Sequence, residues 1–352
     1  MPTITFLIGN GFDLQVGLKT RYIDFYKIYC DIKNNDSDLI TKFKKQILQD
    51  EAQGWKNWSD FEFGMGQQAK EFTSSGDFLS CFDDFVVQFN TYLSKECDMI
   101  DWNSVDQNIK NEFLQSILAF NTRVKSVPQS TFAKALSVPQ GQNTNYAFLQ
   151  FNYTNAFDKL FEFVKENFNP NTNKRKISCN LHIHGELDKH PVIGVDSVEQ
   201  IKSSSEKPFS ESIKTVFVKP LFLEAIQARN VSVQIPAKKA IAIIKSSNII
   251  CSFGASIGET DKTWWKEIGN WLQGNDKYLI IFDVCGDEDD GISPLSFLSR
   301  ENDVNVRKEA IYDRVANLAE WTDDIKEANR EKVVIELDNA MFNLKLPQKA
   351  KA

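Results

Sequence analysis

The sequence predicts an α/β protein: a Rossmann-like, mainly parallel sheet covered on both faces, with a large helical insertion after its first strand. Three observations predict it. Short apolar or β-branched runs alternate with helix-period segments over residues 141–345, the pattern of parallel strands buried on both faces. The earliest such run, Thr3–Ile8, enters the glycine turn Gly9-Asn10-Gly11-Phe12-Asp13. Between that turn and the later runs the apolar residues recur at three- and four-residue steps, the period of amphipathic helices. The expected division is a sheet domain over residues 1–19 and 141–345, with the helical insertion over residues 20–140. A length of 352 residues agrees, falling between two domains and one domain with an insertion.

Within the insertion, Trp55, Trp58, Phe61 and Phe63 begin one helical stretch. Phe78, Phe82, Phe85, Val86, Phe89, Tyr92 and Leu93 mark one face of a second, and Val105, Ile109, Phe113, Ile117, Phe120 and Val124 mark a third. These aromatics read first as a helical core. Pro128, Pro139 and Gly141–Asn145 mark the exit. Strands are then expected at Tyr146–Phe151, Ile177–Ile183, Ile249–Phe253, Tyr278–Val284 and Lys332–Leu337. Helices are expected near Asn155–Asn167, Glu211–Ala228, Lys238–Ser246 and Thr260–Leu272, with a loop at Ser203–Pro208. There is no internal repeat.

Composition excludes several classes. Hydrophobic residues make up 42% and charged residues 25%, enough apolar material for a full core without disulfide or metal staples. Lysine and arginine number 41 against 48 acids, a net charge of −7 that argues against a generally basic nucleic-acid binder. No uninterrupted apolar run exceeds five residues, so no membrane span is expected. Met1–Ile8 lacks the basic region and apolar stretch of a secretory signal, so a cytoplasmic location is expected. Cys30, Cys81, Cys97, Cys179, Cys251 and Cys285 contain no Cys-x-x-Cys pair, which removes a structural zinc ribbon and fits buried thiols in a reducing compartment.

In an open parallel sheet, ligands bind outside the carboxyl ends of the strands. Four strand ends carry polar or glycine-rich sequence that packing alone does not require. In the first, Gly9 and Gly11 let backbone amides approach a phosphate at a helix start. Leu14 stands where the dinucleotide fingerprint has its third glycine, so a tight strand-to-helix turn is the competing reading. The second is Phe151-Asn152-Tyr153-Thr154-Asn155, where Asn152 can hold a ribose hydroxyl and a water, or the segment can simply cap a helix. The third is His182-Ile183-His184-Gly185. Alternation places both histidines on one side of the strand, with His184 nearer its end and Gly185 leaving room for a ligand. A metal-binding His-x-His pair is the alternative there, aided by His190 and by the acids Glu186, Asp188 and Asp196. The fourth is Phe253-Gly254-Ala255-Ser256 through Asp261, again at a helix start, followed by Asp283 at the next strand end. Asp283 can accept hydrogen bonds from a ribose diol or act as a plain cap.

The pieces Ile8–Leu14, Trp58-Ser59-Asp60-Phe61-Glu62, Phe151–Asn155, His182–Gly185 with Gly194-Val195-Asp196, and Phe253–Asp261 together resemble the abortive-infection AbiH family of bacterial phage-resistance proteins. That family in turn is similar to sirtuin-like domains, among them antiphage hydrolases of NAD. Gly9 and Gly11 match the opening Gly-Ala-Gly-x-Ser of those domains, with Asn10 and Asp13 in place of Ala and Ser. Asn152, His184-Gly185 and the Gly254-x-Ser256 pair match later motifs; Thr154 stands where the relatives carry an acid. The four-cysteine zinc module of protein deacetylases has no counterpart.

The resemblance implies a sirtuin-like fold and an antiphage effector that hydrolyses NAD, its substrate, to nicotinamide and ADP-ribose, with no metal. Asn10, Gly11 and Phe12 would cradle the diphosphate beside Gly9, while Gly254, Ser256 and Asp283 hold the adenosine half. His184 would act as general base on a hydroxyl or water positioned by Asn152, and Asp13 would order the ribose or stabilise the cationic transition state. A phage-derived trigger and a homo-oligomer are expected, with the insertion as sensing or assembly region. Two other classes stay open: a non-catalytic sensor of NAD or ADP-ribose, and a metal-dependent phosphoesterase around His182, His184 and His190.

Overall fold

The computed structural model describes residues 1–33, 35–52, 58–72, 74–187, 191–202, 213, 216–219, 231–283, 297–337 and 340–350. Six strands form one sheet: β1 (Thr3–Ile8), β2 (Thr144–Gln150), β3 (Arg175–His182), β4 (Ile249–Phe253), β5 (Tyr278–Asp283) and β6 (Val333–Leu337). Their order is β3-β2-β1-β4-β5-β6, and every pairing is parallel. This is the strand order of doubly wound dinucleotide-binding sheets. Connections leave the centre in both directions, which opens a crevice at the carboxyl ends of β1 and β4, where Ile8 lies opposite Phe253. The Rossmann-like α/β reading therefore holds, and among the described residues the sheet is parallel throughout rather than mainly so.

Helices α1 (Asn10–Gln15), α2 (Tyr22–Tyr29), α3 (Asp38–Ala52), α4 (Trp58–Gln68), α5 (Ser75–Asp98) and α6 (Gln107–Leu118) precede β2. Helices α7 (Ala156–Glu162) and α8 (Pro170–Asn173) join β2 to β3, and α9 (Val231–Ser246) precedes β4. Helix α10 (Lys262–Leu272) joins β4 to β5, while α11 (Phe297–Leu318) and α12 (Asp323–Asn329) precede β6.

All six residues of β1 are buried. Ile4, Phe6 and Ile8 enter one core with side chains of α6 and α7, whereas Leu7 enters the opposite core with α9, α10 and α11. A strand covered on both sides has no face left to solvent, so even Thr3 and Thr5 are buried, the Thr5 hydroxyl paired with that of Ser247 at 2.6 Å. The helices before β2 divide between two cores. Those from α2 to α5 close around Tyr22, Phe25, Phe61 and Phe85, with Val195 and Phe217 packed among them. Phe61 and Phe85 stack at 4.4 Å. Helix α6 and the segment through Ala135 instead pack on the sheet.

The helix expected from Val105 to Val124 is shorter. Asp106 caps its start by accepting from the Ile109 amide at 2.9 Å, and it ends at Leu118. Phe120–Arg123 then form a 3-10 turn. Phe120 and Val124 are buried all the same, so the apolar spacing recorded burial beyond the helix itself. Helix α11 escaped sequence reading because its face of Ile311, Tyr312, Val315 and Leu318 follows a strongly polar stretch. Of the helix expected over Glu211–Ala228, only residues 213 and 216–219 are described, and the Ser203–Pro208 loop lies outside the described residues. The five described cysteines are all buried, while Cys285 is outside the described residues. Among the described residues, no helix is long and apolar enough to cross a membrane.

Candidate functional site

The two glycine turns at the ends of β1 and β4 interlock backbone to backbone. The Gly9 amide donates to the Phe253 carbonyl at 2.9 Å, and the Gly11 amide to the Gly254 carbonyl at 3.1 Å. A Cβ on Gly11 would sit 2.4 Å from the Gly254 Cα, and one on Gly254 would sit 2.3 Å from the Gly11 Cα. Gly254 also holds a φ of +63°, a region costly for other residues. These glycines are thus required by the meeting of two turns at the switch point.

One expectation needs correction here. The Phe12 amide donates to the Gly9 carbonyl at 2.9 Å, and the Phe12 ring is fully buried against Phe113, Phe157 and Phe342. Phe12 therefore faces the sheet core and does not line the cavity above the turns. The amides of Gly9, Gly11 and Phe12 are all committed to backbone carbonyls before any phosphate arrives.

Above this floor lies a cavity of about 390 Å³. It brings together Gly9, Asn10, Gly11, Asp13, Asn152, His184, Gly254, Ser256 and Asp283, the predicted site residues other than Phe12. Helices α4 and α5 close one side with Glu62, Phe89 and Leu93. Asn10 is braced by Thr20, donating from Nδ2 to its carbonyl at 3.0 Å and accepting from its hydroxyl at 2.5 Å. The Asp283 carboxylate accepts from Arg307 at 2.9 Å.

Asp13 is 1% exposed and accepts from Thr154 Oγ1 at 2.7 Å and Asn152 Nδ2 at 3.2 Å. Burial pushes its carboxyl up to about 7, against the opposing pull of those two hydrogen bonds. The folded state thus keeps a proton that the unfolded chain releases near 3.8. Its contribution to stability falls as pH rises between those values. Urea unfolding of wild type and Asp13→Asn, compared at successive pH values, should show the wild type losing roughly 2–4 kcal/mol relative to the variant from about pH 4 to pH 7. A pH-independent difference would contradict the assignment.

The donated amide leaves Asn152 with a buried Oδ1 that has no hydrogen-bond partner among the described residues. Asn152 is 2% exposed and borders the cavity, so this oxygen is placed to receive a hydrogen from a ligand hydroxyl or water.

His184 is also buried, its ring edge-on to Phe151 at 5.3 Å. Its Nε2 lies 2.9 Å from Oδ1 of Asp261, just before α10, although outside hydrogen-bond alignment. The same carboxylate oxygen is 3.3 Å from Lys219 Nζ, which is 3.1 Å from Glu62 Oε2 and donates to the Thr260 carbonyl at 2.9 Å. Burial alone would raise Asp261, but Lys219 and His184 outweigh it and hold the carboxylate well below its usual range. Burial alone would lower Lys219; Asp261, Glu62 and Asp196 reverse this and keep it charged. Asp196, which accepts from the Thr263 amide at 2.9 Å, is pushed up to about 8 by burial against the pull of Lys219.

The two histidines part company. Strand β3 ends at His182, and Gly185 turns the chain with a φ of +74°. His182 Nε2 meets Asp158 at 2.9 Å and its Nδ1 lies 3.2 Å from the Asn152 carbonyl, so it braces the segment that carries Asn152. Burial would lower His182, but the Asp158 carboxylate raises it overall. Each histidine serves a different carboxylate. Among the described residues, no group of three or more His, Cys, Asp or Glu side chains could hold a metal ion; His190 and Asp188 lie outside those residues.

Fold and cavity define a doubly wound α/β protein whose polar site opens at the sheet's switch point. The chain belongs to the AbiH family: the family model described as "Bacteriophage abortive infection AbiH" matches residues 5–283. No curated protein matches the chain significantly.

Proposed function

We propose that this AbiH-family protein is an antiphage abortive-infection effector that hydrolyses NAD to nicotinamide and ADP-ribose, acting as a divergent relative of the sirtuin-like domains. The observation that carries this reading is the convergence of Asn152, His184 and Asp13 in one switch-point cavity, with the Asn152 Oδ1 unpartnered among the described residues and His184 backed by Asp261. The bond between ribose C1′ and the pyridinium nitrogen breaks, and nicotinamide leaves with the electron pair, becoming neutral. Water adds at C1′, and its proton passes to His184 and then to solvent. Positive charge grows on the ribose before water arrives, so positioning and electrostatics carry most of the rate. Asn152 holds the water or a ribose hydroxyl. Asp13 lies beside the developing cation, while Gly9, Asn10 and Gly11 shape the floor under the diphosphate. Gly254, Ser256 and Asp283 receive the adenosine half.

Glu62, Phe89 and Leu93 reach the cavity from the helices before β2, which gives that region a route to restrain the site until infection. The test is nicotinamide release from NAD by purified protein, alone and with a lysate of phage-infected cells. Release is expected in at least one condition, falling about tenfold to a hundredfold in Asn152→Ala. No release in either condition, or full activity in Asn152→Ala, would overturn the reading.

A further inference from the structure

A second groove, of about 520 Å³, adjoins the cavity just described. The two share Ser256, Ile257 and Arg314 on their walls, so the turn after β4 and the last part of α11 form a common border. The groove continues from that border between α4 and α11, past Phe63, Glu259 and Asn317. Each space falls within the range of roughly 300–1,000 Å³ typical of small-molecule sites.

Three features of this border call for a ligand. A dinucleotide in the cavity brings two negative charges, yet the amides of Gly9, Gly11 and Phe12 are already occupied by carbonyls. Arg314 is exposed and makes no ion pair or hydrogen bond among the described residues. Its neighbour Asp313 does not neutralise it, because Lys326 takes that carboxylate at 2.8 Å. Beyond Arg314, Phe63 keeps 37% of its surface exposed although it stands on a helix whose Phe61 and Met65 are buried. An aromatic face left in a groove beside an amide and a carboxylate suits a flat base, with Asn317 and Glu259 available to its amine or to ribose hydroxyls.

We propose that the groove between α4 and α11 is a binding site for the nucleoside end of a nucleoside diphosphate, with Arg314 holding the diphosphate where the two spaces meet. The proposal deepens the NAD reading and rests on it. The ribose of the adenosine half passes Gly254, Ser256 and Asp283, its phosphates meet the guanidinium of Arg314, and the base lies against Phe63. An arginine fork suits this task because it presents paired donors to phosphate oxygens.

Calorimetry with NAD, ADP, adenosine and ribose 5-phosphate as probes tests it on the intact chain. Wild type is expected to bind ADP. Arg314→Glu should weaken ADP about tenfold or more while leaving adenosine little changed, and Arg314→Lys should recover part of the loss. Phe63→Ala should weaken ADP and adenosine alike and leave ribose 5-phosphate unaffected. If wild type binds ADP and both Arg314→Glu and Phe63→Ala bind it equally well, the groove assignment fails while the NAD reading stands. The same holds if Asp283→Asn alone weakens ADP, since the nucleoside then lies against the β5 end. If wild type binds NAD but not ADP, the groove assignment fails alone; if it binds neither, the NAD reading fails and the groove assignment falls with it.

Discussion

Lys219→Met is expected to cost about 3–5 kcal/mol of folding stability, the scale for removing one partner of a buried ion pair. Lys219 is 4% exposed and lies against two carboxylates that are themselves buried, Glu62 on α4 and Asp261 ahead of α10. Methionine fills much of the same volume, so packing is nearly conserved and the loss reports charge. Without the ammonium, Glu62 loses its cation and Asp261 keeps only His184 beside it, so the two buried acids must take up protons or draw in water. Asp196 offers no replacement. The physical origin of the loss can be separated from general disruption by adding Glu62→Gln. In the Lys219→Met background that change should restore part of the stability, whereas in wild type it should be destabilising, a coupling of opposite sign that only a shared charge produces. Urea unfolding of the four proteins measures it. A Lys219→Met loss below about 1 kcal/mol would show that the cluster is solvated and not an interior ion network.

The strand ends were legible because chemistry-bearing residues gathered where buried strands stop. Thr3–Ile8 and Ile249–Phe253 were placed to the residue, and the remaining strands shifted by one or two positions. Strand β2 starts earlier than its apolar run, since the Thr144 amide already pairs with the Lys174 carbonyl. The glycines were legible as a feature, but the phosphate interpretation missed that each turn serves as the other's packing partner. That relation joins residues 9–11 to residue 254, and no local pattern reveals it. Lys219 and Glu62 were missed as site residues for a similar reason: their ion pair spans 157 positions. A signal did exist. Lys219 follows Val216-Phe217-Val218, and a charge abutting an apolar run must either reach solvent or find acids inside. Asp261 stands at the end of the fourth motif, yet its place beside His184 depends on β3, β2, β1 and β4 lying side by side, which emerges only from the sheet order.

Under the proposed hydrolysis of NAD, with His184 as its base, His184→Ala is expected to lower kcat/KM by about 10²–10⁴-fold, the range for loss of a positioned general base. Asp261→Asn should approach the same loss by acting through His184. The carboxylate stands 2.9 Å from His184 Nε2 without hydrogen-bond alignment, and in the proposed reaction its charge would stabilise the imidazolium that forms as a proton is accepted. Asparagine preserves shape but supplies no charge, so it cannot favour the protonated ring. Because the two residues act as one unit, the double variant should be little worse than His184→Ala alone. Asp261 also balances Lys219, so each variant must be compared at a temperature where unfolding measurements show it fully folded. The discriminating result is the pattern of losses. Near-identical single and double losses tie Asp261 to the reaction through His184. Multiplicative losses would mean that Asp261 matters through the Lys219 network, and that His184 draws its proton-accepting ability from elsewhere in the cavity.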